Sequence, residues 1–360
     1  MTDTILRRVR PEQFREVILL IVTVGLLGFF ASQIPNYFDP RSVNRLTTGL
    51  AIPLVVAVGQ VLVVITRNID LSVSSIVGLS AYMVGTLLTR TDGLSPLAAL
   101  AVAMSIGLVL GAINGLIVAY GGVPAVIATL GTLALYRVVL VEFSGARTVT
   151  TADLPDWLND VPSATVVAAG GYDLRLMVGI ALVVVILGQL TLRYLPFGRR
   201  LYAIGSNPEA ARIAGLPAKR DVFTAFVICG TLSGLAGFMF LVRFGNITVT
   251  AAQGLELQVV AAVVVGGVNI FGGSGSMIGA LLGVLLIETL QQSLLRWAGV
   301  SEFVKDAILG LLILIAVTAD TIILSRLREM WVRVRRRDKA KAQERAQVVA
   351  TGEGEMVHGA

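Results

Sequence analysis

Ten stretches of this 360-residue sequence are apolar over a length that suits a membrane helix, and little remains between them from which to build anything else. A helix crossing a bilayer needs roughly 20 mostly apolar residues. Windows of that kind fall near 14–33, 49–68, 73–90, 96–119, 123–142, 173–194, 221–243, 257–270, 274–295 and 303–323. The eighth is short and runs into Gly272-Gly273-Ser274-Gly275, so 257–295 reads either as two full spans or as a broken or re-entrant segment. The connections 143–172, 195–220 and 324–360 are each below the roughly 50 residues of a small domain. The expected fold class is therefore all-α, a polytopic membrane helix bundle of about ten transmembrane helices. Composition agrees, since 55% of residues are apolar and 14% charged, against about 45–50% and about 25% in soluble chains. So low a charge also excludes a disordered chain and a nucleic-acid partner.

Lys and Arg placement sets the expected orientation. Arg7, Arg8 and Arg10 precede the first span, Arg193, Arg199, Arg200, Arg212, Lys219 and Arg220 cluster after the sixth, and a further basic run follows position 324. The positive-inside rule puts all three segments, and hence both termini, in the cytoplasm, which ten spans allow. Loop 143–172, with Asp153, Asp156 and Asp160, then falls outside. The predicted organisation is a transmembrane domain over 1–325 and a basic, disordered cytoplasmic tail over 326–360 that is drawn to anionic lipid. A weak repeat, Ile106-Gly107 with Leu110-Gly111 and again Ile278-Gly279 with Leu282-Gly283, continues into the fifth and tenth spans. In ten-span topology the two copies run in opposite directions, an inverted repeat of the kind that builds alternating-access pathways.

The chain holds no evident engine. None of Lys219, Lys305, Lys339 and Lys341 follows a glycine, so the phosphate-binding loop G-x-x-x-x-G-K-[ST] is absent. One cysteine, Cys229, and one histidine, His358, offer no metal cluster and no histidine catalysis. No catalytic residue and no resident cofactor are expected. Gly107, Gly111 and Gly115, like Gly275, Gly279 and Gly283, recur every fourth residue and read as helix-packing stripes.

Polar residues inside spans are the candidates for a pathway, because each costs energy to insert. Glu288 is the clearest, with Gln291 and Gln292 on the same helix face. Gln60, Asn114 and Asn269 are milder cases, and Asp70 with Ser72 opens the third span, where a helix N-terminus alone would account for them. An ion-coupled carrier using Glu288 stays open at this point.

The most specific segment is Gly205-Ser206-Asn207-Pro208-Glu209-Ala210-Ala211-Arg212-Ile213-Ala214-Gly215-Leu216-Pro217. Asn207 reads as an N-cap, Pro208 as the first helical residue, Glu209 as an acid suited to the dipole, and Gly215 as the stop. A helix of about two turns over 207–215 is too short to hold its shape alone, which predicts a partner outside the membrane. Gly205-x-Asn207-x-x-Ala210-Ala211-x-x-x-Gly215 resembles the cytoplasmic loop of permease subunits of ABC importers for monosaccharides, the ribose, xylose, rhamnose and autoinducer-2 branch. Asn68-Ile69-Asp70-Leu71-Ser72-Val73 is similar to that family's Asp-Leu-Ser signature, and Gly266-Gly267-Val268-Asn269-Ile270-Phe271-Gly272-Gly273-Ser274-Gly275 to its glycine-rich segment. Ser74 and Asn68 depart from the usual pattern.

The resemblance covers roughly 15–325 and implies a multi-pass cell-membrane protein that pairs with a second permease copy or paralogue. It implies two ABC ATPase subunits, which bind ATP and Mg themselves, docked on Gly205, Asn207, Pro208, Glu209, Ala210, Ala211, Arg212 and Gly215. An extracytoplasmic sugar-binding protein would deliver the cargo. Permeases for nucleosides or branched-chain amino acids are the alternatives within the same resemblance.

Overall fold

The computed structural model describes residues 11–298 except Asp92 and Ala146, together with 304, 307, 308, 310, 311 and 314. Eight helices in it are long and apolar enough to cross a bilayer. They are α1 (Pro11–Gln33), α2 (Pro40–Ile65), α3 (Val73–Arg90), α4 (Pro96–Gly115, running on through a π turn to Tyr120), α5 (Ala125–Ser144), α7 (Leu176–Tyr194), α10 (Ala218–Phe244) and α12 (Met277–Ala298). Between them stand a short α6 (Asp156–Asp160), α8 (Pro196–Ser206), α9 (Pro208–Ile213) and α11 (Leu255–Val265). Five of these helices, α1, α2, α4, α8 and α9, begin on proline, whose fixed φ suits the first turn and whose missing N–H would be unpaired there anyway.

Of the two readings left open for 257–295, the structure has the broken pass. Eleven residues of α11, at 1.5 Å each, reach about half of the roughly 30 Å hydrocarbon core, and 266–276 contains no helix. The tenth expected span and the basic tail fall outside the described residues, apart from the six positions named above, and so does the inverted relation of the repeats. The glycines of both repeat copies serve one purpose. A Cβ on Gly107 would overlap the Gly230 carbonyl of α10, and one on Gly283 the Ala262 carbonyl of α11. Backbones therefore touch directly at α4–α10 and at α11–α12. Large apolar side chains such as Ile21, Ile127, Val183 and Leu187 stay exposed, the perimeter expected of a bundle solvated by lipid.

Strands were not expected, and among the described residues one hairpin interrupts the helices. β1 (Thr165–Ala169) pairs antiparallel with β2 (Tyr172–Arg175), joined by Gly170-Gly171 at φ +58° and +90°. Two positive-φ residues in a two-residue loop define a type I′ turn; that Gly-Gly signal lay in a stretch read only as a loop. The hairpin marks one end of the bundle, tied down where Asn44 Nδ2 donates to the Gly171 carbonyl at 2.9 Å and its Oδ1 accepts from the Asp173 N–H at 3.0 Å. The other end gathers Arg67, α8, α9 and the glycine-rich turn, and is called the basic end here.

Candidate coupling and transport site

At the basic end α9 has the caps its sequence predicts. Asn207 Oδ1 accepts from the Ala210 N–H at 3.0 Å. Gly215, at φ +73°, closes the helix, its N–H donating to the Arg212 carbonyl while that of Leu216 donates to the Ala211 carbonyl, each at 3.0 Å. These two bonds form a Schellman stop. The helical stretch is six residues, shorter than the two turns expected, because Ala214 already serves as the cap. Glu209 and Arg212 pair at 2.7 Å, both exposed, so the pair is worth only about 0–1 kcal/mol and is free to exchange for an outside partner. Replacing Asn207 with alanine is expected to weaken α9 by about 1 kcal/mol, read as roughly fivefold faster amide exchange at 210–214.

What holds α9 to the membrane helices is a backbone junction. Arg67, just past the end of α2, donates from Nε to the Gly205 carbonyl at 2.5 Å and from Nη2 to the Ser206 carbonyl at 2.8 Å. The Gly273 N–H donates to the Ile65 carbonyl at 2.9 Å, and the Tyr202 hydroxyl to the Gly275 carbonyl at 2.7 Å. A Cβ on Gly205 would overlap the Ile65 carbonyl oxygen and stand 2.5 Å from the Gly273 nitrogen. The end of α2, the lead-in to α9 and the glycine-rich turn therefore meet with no side chain between them. Nearby, Arg200 grips the buried Asp221 carboxylate with both nitrogens, at 2.6 and 2.9 Å, which raises the guanidinium pKa and fixes α8 on α10.

A cavity of about 650 Å³ opens toward the hairpin end between α2, α10, α11 and α12. Glu288, Gln291, Gln258 and Arg243 give it a polar wall, and Phe240 and Phe244 an aromatic one. Glu288 accepts from Gln292 Nε2 at 2.7 Å and from Gln258 Nε2 at 3.1 Å, so two amides compensate a carboxylate that is 8% exposed. Pro53 lacks the N–H that the Gly49 carbonyl would otherwise receive, and both line the cavity. Arg243 donates to the Thr48 carbonyl at 3.0 Å. Such a wall can offer hydrogen bonds of both senses to a neutral polar solute, plus an apolar face.

The family described as "Branched-chain amino acid transport system / permease component" matches residues 42–317. The chain belongs to this permease family. Relatives include the autoinducer 2 import system permease protein LsrC of Enterobacter sp. (strain 638), 34% identical over 327 residues, covering 89% of this chain and 90% of the relative. The same-named protein of Salmonella typhi is 33% identical over 302 residues, 83% of this chain and 84% of the relative. The probable ABC transporter permease protein y4mJ of Sinorhizobium fredii (strain NBRC 101917 / NGR234) is 34% identical over 304 residues, covering 84% and 86%. No solved structure matches. The protein is thus a multi-pass inner-membrane permease.

The permease divides its sequence-predicted polar residues among different places. Glu288 and Gln291 line the large cavity, while Gln292 bonds Glu288 and also lines a neighbouring cavity. Gln60, Asp70, Ser72 and Asn114 are fully buried and line neither. Asp70 Oδ1 accepts from the Ser72 N–H at 2.9 Å and its hydroxyl at 2.6 Å, and Asn114 Nδ2 donates to the same hydroxyl oxygen at 2.7 Å. Oriented to satisfy its neighbours, the Gln60 amide bonds both the N–H and the carbonyl of Asp70 at 3.1 Å. This cluster pins the Asp-Leu-Ser turn back along α2, more than the simple helix start expected of Asp70. Asn269 makes an Asx turn, accepting from the Phe271 N–H at 2.9 Å, within the glycine-rich segment at the basic end.

Sequence reasoning passed over three arginines in the permease. Arg67 reads as an ordinary flanking charge, yet it holds the junction. Arg243, at the end of its span, completes the cavity. Arg137, inside α5, donates to the Val249 and Ala251 carbonyls at 3.1 and 2.8 Å, fixing the segment that leads into α11. As a charge within an apolar window it carried the signal that flagged Glu288.

Proposed function

We propose that this permease is the membrane-spanning subunit of an ATP-driven importer for a sugar, a pentose, deoxyhexose or similar polyol-like solute. In this reading it pairs with a second permease copy or paralogue. A binding protein delivers cargo at the outward-facing hairpin end, and ABC ATPase subunits, holding ATP and Mg, grip α9 at the cytoplasmic basic end. The observation that carries it is the backbone junction tying the end of α8, directly ahead of α9, to the end of α2 and the glycine-rich turn, so that a push on α9 reaches the two elements beside the pathway through that short link. The autoinducer 2 importers among the relatives support a sugar-like cargo. ATPase closure then biases the bundle between inward- and outward-open states. The chain itself performs no chemistry; it supplies a polar path and a lever.

Uptake of labelled sugars by cells carrying the whole gene cluster tests this, with a nucleoside and a branched-chain amino acid in the same panel. Saturable sugar uptake that vanishes when the ATPase gene is removed is expected. The amino acid is the competing cargo because Arg243 and Glu288 share one cavity and carry the charges an amino acid would need. Glu288→Gln should leave ATP-driven uptake within about threefold of wild type, since an amide still bonds its neighbours. Uptake that instead collapses with the proton gradient points to an ion-coupled carrier.

A further inference from the structure

A second cavity, of about 320 Å³, lies between α1, α2 and α12 at the hairpin end. Arg41, Arg45 and Arg296 line it with Ser42, and Leu27 and Leu46 supply apolar wall; among the described residues no Asp or Glu lines it. Arg296 donates to the Ser42 hydroxyl at 3.0 Å and sits 5.7 Å over the Tyr37 ring. Among the described residues none of the three guanidinium groups pairs with a carboxylate. Three like charges around so small a space repel, and an anion between them would relieve that.

The surroundings indicate which anion. Trp297 meets Phe29 edge-on at 5.5 Å beside the cavity, and Phe38 is exposed. Aromatic residues of this kind gather at the membrane–water boundary. Along α1, Ile18, Ile21 and Val24 remain exposed, giving a lipid-facing track that leads to Leu27. The volume falls at the lower end of the roughly 300–1,000 Å³ of small-ligand sites, narrow for a protein loop. In the orientation proposed above these arginines lie outside, where topology does not call for them; only the choice of leaflet rests on that reading.

We propose that this cavity binds the phosphate of an anionic phospholipid, with Arg41, Arg45 and Arg296 on the headgroup and the acyl chains along Leu27 and the exposed face of α1. The forked guanidinium groups suit a phosphate better than lysine would. The test uses the full chain purified from membranes of phosphatidylglycerol and phosphatidylethanolamine, with retained lipid read by native mass spectrometry. Wild type should retain phosphatidylglycerol preferentially. The triple variant R41Q/R45Q/R296Q should lose that retention about tenfold or more, the three-lysine variant should lose part of it, and Arg90→Gln, outside the cavity, none. If the triple variant fails to fold, Arg41→Gln alone, at an exposed position, should still lower retention. Thermal stability gives the second readout: phosphatidylglycerol micelles should raise the Tm of wild type, and millimolar inorganic phosphate should not. Unchanged retention in the variants overturns the proposal. So does an equal Tm shift from phosphate alone, which marks a free-anion site, or lost binding-protein affinity with lipid retention intact, which marks an acidic protein partner. Lipid retention and the Tm shifts are read without transport, so their failure leaves the sugar-uptake reading standing.

Discussion

Replacing Gly205 with valine should reduce ATP-driven uptake to less than about a tenth of wild type while the protein still reaches the membrane. The new Cβ would overlap the Ile65 carbonyl and crowd the Gly273 nitrogen, both backbone atoms that cannot swing aside, and overpacking of this kind costs about 1–3 kcal/mol or more. The same valine at Gly215 is a useful contrast. Among the described residues a Cβ added at Gly215 would meet nothing within 4 Å, so the cost there is backbone strain at φ +73°, about 1–2 kcal/mol. Uptake assays matched for membrane protein level, with thermal unfolding alongside, should rank Gly205→Val well below Gly215→Val. Equal behaviour of the two would mean that the junction does not transmit force.

Arg67→Gly should separate hydrolysis from transport. It deletes both bonds to the Gly205 and Ser206 carbonyls, each worth about 1.5–3 kcal/mol for a charged donor, yet glycine accepts the φ of +68° at that position without strain. With its ATPases and binding protein assembled, the variant should still hydrolyse ATP but move about tenfold less cargo per nucleotide, a loss of roughly 1.4 kcal/mol of coupling. Arg67→Lys, a single donor point without the fork, should fall between. A normal ratio of cargo to ATP in Arg67→Gly would place the coupling elsewhere.

Nine of the ten apolar windows fall where the described residues can be compared with them, and each holds a helix, because in lipid the length of an apolar run alone decides between helix and loop. The caps of α9 were equally legible: Asn207, Pro208 and Gly215 act locally, and local chemistry is what a sequence states directly. The glycine stripes told correctly that helices touch there, but not which ones, since Gly107 gives no sign of Gly230. Harder still was the meeting of three sites that lie 138 and 68 residues apart along the chain. Gly205 and Gly273 stood in separate motifs and Arg67 in none, and their joint role arises only from tertiary contact. The polar residues, singled out alike for their cost in the membrane, divide in space: Asp70, Gln60 and Asn114 join one buried cluster around Ser72, while Arg243 and Gln258 complete the cavity beside Glu288.

The most direct measurement reconstitutes the purified permease into vesicles twice, alone and with its ATPases and binding protein, and follows labelled sugar against a gradient. Accumulation that requires ATP and both companions is the predicted result; uphill transport by the permease alone, without nucleotide, would contradict it.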